Sequence, residues 1–407
     1  MSQLFDSILI ALRAIWANKL RSFMTVLGNI VAVTSIVTVV SLIQGLNGVV
    51  TSAILTDVGG DTFVVQRFPP IRTDEDEERM RNYPLITLDE ADAIQAFSPS
   101  VKAVMAQASR GATVGYGTQE LDSISVQGVT SDYVDFSTFD AERGRMMSTV
   151  EVDRSQPVTL IGYDIADRLF GQNNPLDKII RIAGIGFRVV GVSKPKGSFF
   201  GQSQDAFVVI PLGSYMRLFG ARQSLTLVVK PTSPDVLTTA IDDATVAMRI
   251  ERRLKPADPD NFGMFTSDTI LGLYNQATSG IFAVLVGVVA LSLLVGGIVI
   301  MNIMLMVVSE RTREIGLRKA LGARRADIIS QVLTESVVLS VFGGIVGIAL
   351  GFLLSLLIAQ VSPLPARLEP WSIAMAIAIT AGVGLFFGAY PASRAASLDP
   401  IEALRRE

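Results

Sequence analysis

The sequence predicts a membrane protein with four transmembrane α-helices and a large α+β extracytoplasmic domain inserted between the first and second helices. Three observations predict it. Of the 407 residues, 49% are hydrophobic, and the mean hydropathy of +0.45 is high for a soluble chain. No charge occurs between Ser22 and Thr56 or between Thr269 and Ser309, and each run exceeds the roughly 20 apolar residues that one crossing needs. Between these runs lies the only large polar region, Thr51 to Asn275, which is long enough to bury its own core.

The chain opens on an amphipathic pattern. Leu4, Phe5, Ile8, Leu9, Leu12, Ile15, Trp16 and Leu20 fall on one helical stripe. Residues 1–22 therefore read as a cytoplasmic interfacial helix with Trp16 at headgroup depth; a plain extension of the first span is the alternative. The first span is placed at 23–50. Its run is too long for a secretory signal, so it reads as an uncleaved anchor that continues outside as a stalk. Thr34, Thr38 and Ser41 share one face, which is expected to meet another helix.

Residues 51–270 form the polar domain. Thr62–Gln66, Ser123–Val129, Pro157–Gly162, Phe187–Ser193, Ala206–Pro211 and Leu225–Lys230 read as short strands rich in Val, Ile, Phe and Thr. Thr87–Phe97, Tyr163–Phe170, Leu212–Phe219 and Pro234–Leu254 read as helices. The acidic run Asp74–Glu78 lacks the spaced ligands and turn glycine of a calcium loop and reads as solvated. Ala183–Phe187 reads as a hairpin turn, since no helix start follows its glycines. Phe199, Phe200 and Phe207 read as domain core, with an apolar contact site as the alternative.

The second span, 271–308, also carries a stalk. A charged segment, 309–328, follows. The third span-bearing segment is 329–361, its uncharged part starting near Ser336. Gly343, Gly347 and Gly351 make a small-residue ridge there that permits close helix approach. Pro363, Pro365 and Pro370 mark a short outer turn, the fourth span is 371–391 with Pro391 ending it, and 392–407 form a tail. Basic residues cluster before span one, between spans two and three and after span four. The positive-inside rule then places both termini in the cytoplasm, with the large domain outside.

Composition also excludes functions. Cysteine and histidine are absent, so disulfides, thiol nucleophiles, imidazole catalysis and Cys/His zinc sites are excluded. The polar domain holds 29 acidic and 22 basic residues, which argues against a nucleic-acid partner. The uncharged spans carry no ionisable group for a proton relay. No G-x-x-x-x-G-K-[ST] phosphate loop occurs. No catalytic constellation is recognisable, leaving a membrane-anchored external enzyme as the weakest reading. If the chain does work, a separate ATPase must supply it.

The charged segment Ser309–Ile328 is the centre of the functional argument. Glu310 and Arg313 are three apart, and Glu314 and Arg318 four apart, acid first, the order that favours surface pairs on a helix. Ile315, Leu317 and Leu321 add apolar contact, and Gly322 is a natural C-terminal stop. A solvated loop is the alternative reading. Glu310-Arg-Thr-Arg-Glu-Ile-Gly-Leu-Arg-Lys-Ala-Leu-Gly-Ala323 resembles the coupling segment of MacB/FtsX-type ABC transporter permeases. Gly388-Ala-Tyr-Pro-Ala-Ser-Arg-Ala-Ala-Ser-Leu-Asp-Pro400 and Ala17-Asn-Lys-Leu-Arg-Ser22 resemble the same family, in the right order.

The resemblance implies a two-lobed MacB-like external domain, one lobe built from the flanks and the other inserted near 121–220. It implies that Glu310, Arg311, Arg313, Glu314, Arg318 and Lys319 make polar contacts with an ATPase subunit. Ile315, Leu317 and Leu321 would be apolar anchors, Gly316 would permit close approach, and Gly322 would turn the chain into span three. The chain begins at its amphipathic helix, so the reading is a stand-alone permease with its ABC ATPase in trans. ATP and magnesium would act through that partner, with no cofactor bound by this chain. Further implied are an inner-membrane location, a homodimer or a heterodimer with a related permease, contact with membrane lipid, and a periplasmic adaptor with an outer-membrane channel. The implied work is mechanotransmission that exports or extracts an amphiphilic substrate: a drug, peptide, lipid or lipoprotein. The alternative is an FtsX-like regulator that activates an external cell-wall hydrolase without transport.

Overall fold

The computed structural model describes residues 19–57, 60–69, 80–136, 139–199, 201–362, 366–367 and 369–405. The expectations for residues 1–18, for the acidic run 74–78 and for Phe200, Pro363 and Pro365 lie outside these. The chain divides into two compact units, Val50–Asn275 and Met1–Val49 with Gln276–Glu407.

The first helix, α1 (Lys19–Asp57), is continuous over 39 residues, about 58 Å at the α-helical rise. After it come β1 (Phe63–Gln66), α2 (Leu88–Phe97), β2 (Val101–Tyr116) and β3 (Gln119–Val129). Next are β4 (Ala141–Gly144), α3 (Thr149–Asp153), β5 (Val158–Ile161), α4 (Tyr163–Phe170), β6 (Ile179–Ile182) and β7 (Ile185–Ser193). The unit is completed by β8 (Ser198–Phe199), β9 (Gln202–Ser203), β10 (Phe207–Pro211), α5 (Leu212–Phe219), β11 (Thr226–Pro231), α6 (Leu237–Glu251) and β12 (Gly263–Thr266).

Strand pairing explains the layout of this unit. The flanks supply the order β12-β1-β11-β2, every neighbour antiparallel. With α2 after β1 and α6 after β11, this is the split β-α-β arrangement of ferredoxin-like folds. Ala91 and Ile94 of α2 and Ala240, Ala244 and Met248 of α6 share one buried core with Phe63, Val65, Leu227 and Val229. The ladder then continues from β2 through β3, β10, β5 and β7. Strand β6 pairs with both β7 and the far end of β2, so these six strands close into a ring.

The insert expected near 121–220 starts within β3, one strand beyond the point where the chain enters the ring. Strand β2 is one 16-residue strand that serves both parts, passing into the ring at a register shift between Ala112 and Val114. A continuous backbone ladder joins the two parts. Between β6 and β7, Ala183 and Gly184 have φ of 47° and 85°, as a tight two-residue hairpin requires. Phe207 is core, 3% exposed, with Phe139 edge-on at 6.2 Å.

The other unit contains most of α7 (Ser267–Glu310), followed by α8 (Thr312–Ala320), α9 (Arg325–Val361), α10 (Pro370–Ser397) and α11 (Pro400–Arg405). Among the described residues, α1, α7, α9 and α10 are long and apolar enough to cross a membrane. Helix α1 is joined to α9 from Asn29 to Thr38. Thr34 Oγ1 donates to Gly347 O and Thr38 Oγ1 to Gly351 O, both at 3.2 Å. Asn29 Nδ2 donates to Ser340 O at 2.6 Å, and Ser41 Oγ reaches Arg367 O at 3.1 Å. A Cβ on Gly347 would stand 2.8 Å from Val33 Cβ and 2.9 Å from Ile30 O, so the glycine ridge and the hydroxyl face meet each other.

Two further boundaries differ from expectation. Pro391 does not end the fourth apolar helix; α10 continues to Ser397 with Pro391 inside it. Proline removes one i→i−4 hydrogen bond, and the turn beyond it is held by burial of Ala392, Ala395 and Ala396 against Ile300, Met304 and Ile328. Segment 309–328 is not one helix either. It contains the nine-residue α8, which stops at Gly322 as expected, the glycine having a φ of +99°, and α9 begins already at Arg325. The Arg324 N–H donates to Asp327 Oδ2 at 2.9 Å, which caps the new helix at that point.

Candidate docking site on the charged helix

Helix α8 places Glu314 in its first turn and Arg318 and Lys319 in its last, charges that complement the helix dipole. Arg318 Nη2 lies 2.6 Å from Glu314 Oε1, the i,i+4 pair anticipated from spacing. At 100° per residue, Arg313, Glu314 and Leu317 share one side of the helix, while Thr312, Ile315, Gly316 and Lys319 share the opposite side.

The inner side is occupied by this chain itself. Ile315 is 8% exposed and packs in a cluster with Ile300, Met304, Val308, Ile328 and Val332. A Cβ on Gly316 would meet Ala403 Cβ at 2.6 Å, so α11 seats directly on the glycine. Lys319 Nζ donates to Ala396 O at 3.0 Å and to Leu398 O at 2.5 Å. Arg325 Nε donates to Ala396 O at 3.2 Å. Both cations thus satisfy carbonyls at the C-terminal end of α10, which have no partner within their own helix. Ile315, Gly316 and Lys319, which the resemblance implies serve a partner, here hold α8 against α9, α10 and α11.

One edge of α8 faces α9. Arg318 Nη1 donates to Gln331 Oε1 at 2.5 Å, and Arg311 Nη1 lies 3.5 Å from Glu335 Oε1. Glu335 is only 8% exposed. The sequence reading passed over it, although a lone carboxylate one residue before an uncharged run was the available signal. A buried carboxylate needs a compensating charge, and Arg311 supplies it.

The outer side remains open. Glu310, Arg313, Glu314, Leu317, Leu321 and Gly322 are exposed, Leu317 at 51% and Leu321 at 81%. These six residues form a mixed charged and apolar strip, and among the described residues none packs as a layer over it. Such a strip can dock a protein surface through apolar contact and charge pairing. It contains no arrangement of nucleophile and base, and among the described residues no group of His, Cys, Asp and Glu could hold a metal ion.

The profile of the MacB-like periplasmic core domain matches residues 22–247, and that of the FtsX-like permease C-terminal region matches 286–400. The macrolide export ATP-binding/permease protein MacB of Bdellovibrio bacteriovorus is 35% identical over 397 residues, covering 96% of this chain and 60% of the relative. The pyoverdine export ATP-binding/permease protein PvdT of Pseudomonas syringae pv. syringae is 33% identical over 419 residues, covering 100% of this chain and 60% of the relative. The chain thus spans about 60% of the length of these curated relatives. The crystal structure of the periplasmic region of MacB from Actinobacillus actinomycetemcomitans matches 55% of this chain and 98% of that chain, at 19% identity and a TM-score of 0.44.

Proposed function

We propose, from the premise that this chain belongs to the family of MacB-like ABC transporter permeases with an FtsX-like C-terminal region, that it converts movement of an ATPase subunit into movement of its external domain. The MacB-like domain and the apolar helices fit an inner-membrane protein. In this reading α1, α7, α9 and α10 are four spans, both termini are cytoplasmic, and unit 50–275 lies outside. The ATPase supplies ATP and magnesium chemistry, and the permease works as a pair with itself or a related chain. The substrate is an amphiphile exported or extracted from outside the membrane, with a periplasmic adaptor and an outer-membrane channel completing the path.

The observation that carries the reading is the two-sidedness of α8. Its inner residues grip three helices of this chain, and its outer strip is exposed. A push on Glu314, Leu317 and Leu321 would therefore reach α9, α10 and α11 through Ile315, Gly316 and Lys319, and α7 through the adjoining chain. The experiment is Glu314→Lys, which reverses a charge on the outer strip. The variant should fold but lose co-purification with the ATPase and lose stimulated ATP hydrolysis. Normal co-purification with normal stimulation would refute the assignment.

A further inference from the structure

A cavity of about 420 Å³ opens among α7, α8, α10 and α11, with Leu305, Met306, Ser309, Arg394, Asp399 and Glu402 among its lining residues. Arg394 brings a positive charge to this cavity, and Asp399 and Glu402 bring negative ones. None of the three forms an ion pair with a described residue, although all line the same space. Asp399 Oδ1 accepts the Ile401 N–H at 2.8 Å; that bond fixes the carboxylate without neutralising it. Opposite charges held apart around one cavity suit a ligand that carries both signs.

The position narrows the ligand class. The uncharged run of α7 ends at Ser309, so on the reading that α7 and α10 cross a bilayer the cavity lies at headgroup depth. Leu305 and Met306 border it from the apolar part of α7, and Met306 is 53% exposed. We propose that this cavity binds the headgroup of an aminophospholipid. The phosphate sits against Arg394 and the Ser309 hydroxyl, the ammonium against Glu402 and Asp399, and the acyl chains along Leu305 and Met306. Such a lipid bridges α7 to α10 and α11, and through Ala403 it steadies the helix that backs α8. An anionic lipid without an ammonium leaves the two carboxylates uncompensated and binds less well.

The test uses the full chain in detergent and native mass spectrometry against phosphatidylethanolamine, phosphatidylglycerol and inorganic phosphate. Phosphatidylethanolamine should be retained at about tenfold lower concentration than phosphatidylglycerol. Glu402→Gln should remove that preference, and Arg394→Gln should weaken retention of both lipids. Equal retention of the two lipids by the unaltered chain overturns the proposal. So does displacement of the lipid by equimolar inorganic phosphate, which marks a plain anion site, or by the ATPase, which marks a protein-docking surface. The chain has no cysteine, so one spin label at Ser397→Cys in a bilayer measures depth separately. A label far from the headgroups removes the premise that these helices span. Headgroup depth without lipid selectivity removes only this inference.

Discussion

Gly316 and Ala403 pack so closely that a Cβ on the glycine would stand 2.6 Å from the alanine Cβ. The glycine therefore serves the chain's own C-terminal helix, and α11 backs the charged helix from behind. Gly316→Leu should force α11 away, since overpacking of this kind costs about 1–3 kcal/mol. With Ala403→Cys as a reporter in the otherwise cysteine-free chain, alkylation should accelerate about tenfold or more over the reporter alone. An unchanged rate would mean that α11 is held elsewhere.

The two faces of α8 should separate in mutagenesis. Ile315 is 8% exposed and Leu321 is 81% exposed. Ile315→Ala removes buried contacts and should lower stability by about 2–4 kcal/mol. Leu321→Ala should leave stability within about 0.5 kcal/mol yet weaken ATPase docking by about 1 kcal/mol or more, roughly fivefold. Thermal unfolding and titration of the permease with the ATPase measure the two effects. Equal effects of both substitutions on stability would contradict the two-faced arrangement.

These faces mark the limit of what the sequence reveals. Spacing identified α8 and its Glu314–Arg318 pair, because i,i+4 order is a local property. Ile315, Leu317 and Leu321 are all apolar, so composition could not say which one turns inward; the packing of Ile300, Met304, Ile328 and Val332 around Ile315 decides it. In the external domain, β5, β7, β10 and β11 were legible from their Val, Ile and Leu content. Strand β2 was not. Its sequence, VKAVMAQASRGATVGY, is rich in alanine and glycine and reads poorly as strand. It is a strand because β11 and β3 flank it on either side. Pro391 reads as a stop by local rules, and only tertiary burial of the next turn overrides them.

The α1–α9 seam supplies a third prediction. Thr38 Oγ1 donates to Gly351 O, and a Cβ on Gly351 would lie 2.9 Å from Val37 Cβ and 3.0 Å from Thr34 O. Thr38→Val keeps the shape and removes one hydrogen bond, at a cost of about 0.5–1 kcal/mol. Gly351→Leu must push backbone from backbone and should cost more, about 2 kcal/mol or above. Thermal unfolding in detergent ranks the two. A larger loss from the threonine change than from the glycine change would show that the hydroxyls, and not close approach, hold the seam.

Acid should loosen the external unit at a defined place. Arg145 Nη1 and Nη2 each donate to Glu151 at 2.7 Å, and the Ser148 N–H adds a bond at 2.8 Å. These partners, Arg145 foremost, draw the Glu151 carboxyl down from 4.5 to about 2. A carboxylate with a depressed native pKa contributes stability above its unfolded value and loses it as the pH falls through the native one. The contribution is therefore full above about pH 4.5 and fades between 4.5 and 2. Glu151 is buried, but the Arg145 side chain is 53% exposed, and solvent screening reduces the contribution to about 2 kcal/mol. At pH 7, Glu151→Gln should raise amide exchange across 145–153 by about 30-fold relative to the unaltered chain at the same pH. That ratio should shrink toward one as the pH approaches 2, because protonation removes the same charge that the substitution removes. A ratio independent of pH would locate the effect in packing and not in the Arg145–Glu151 ion pair.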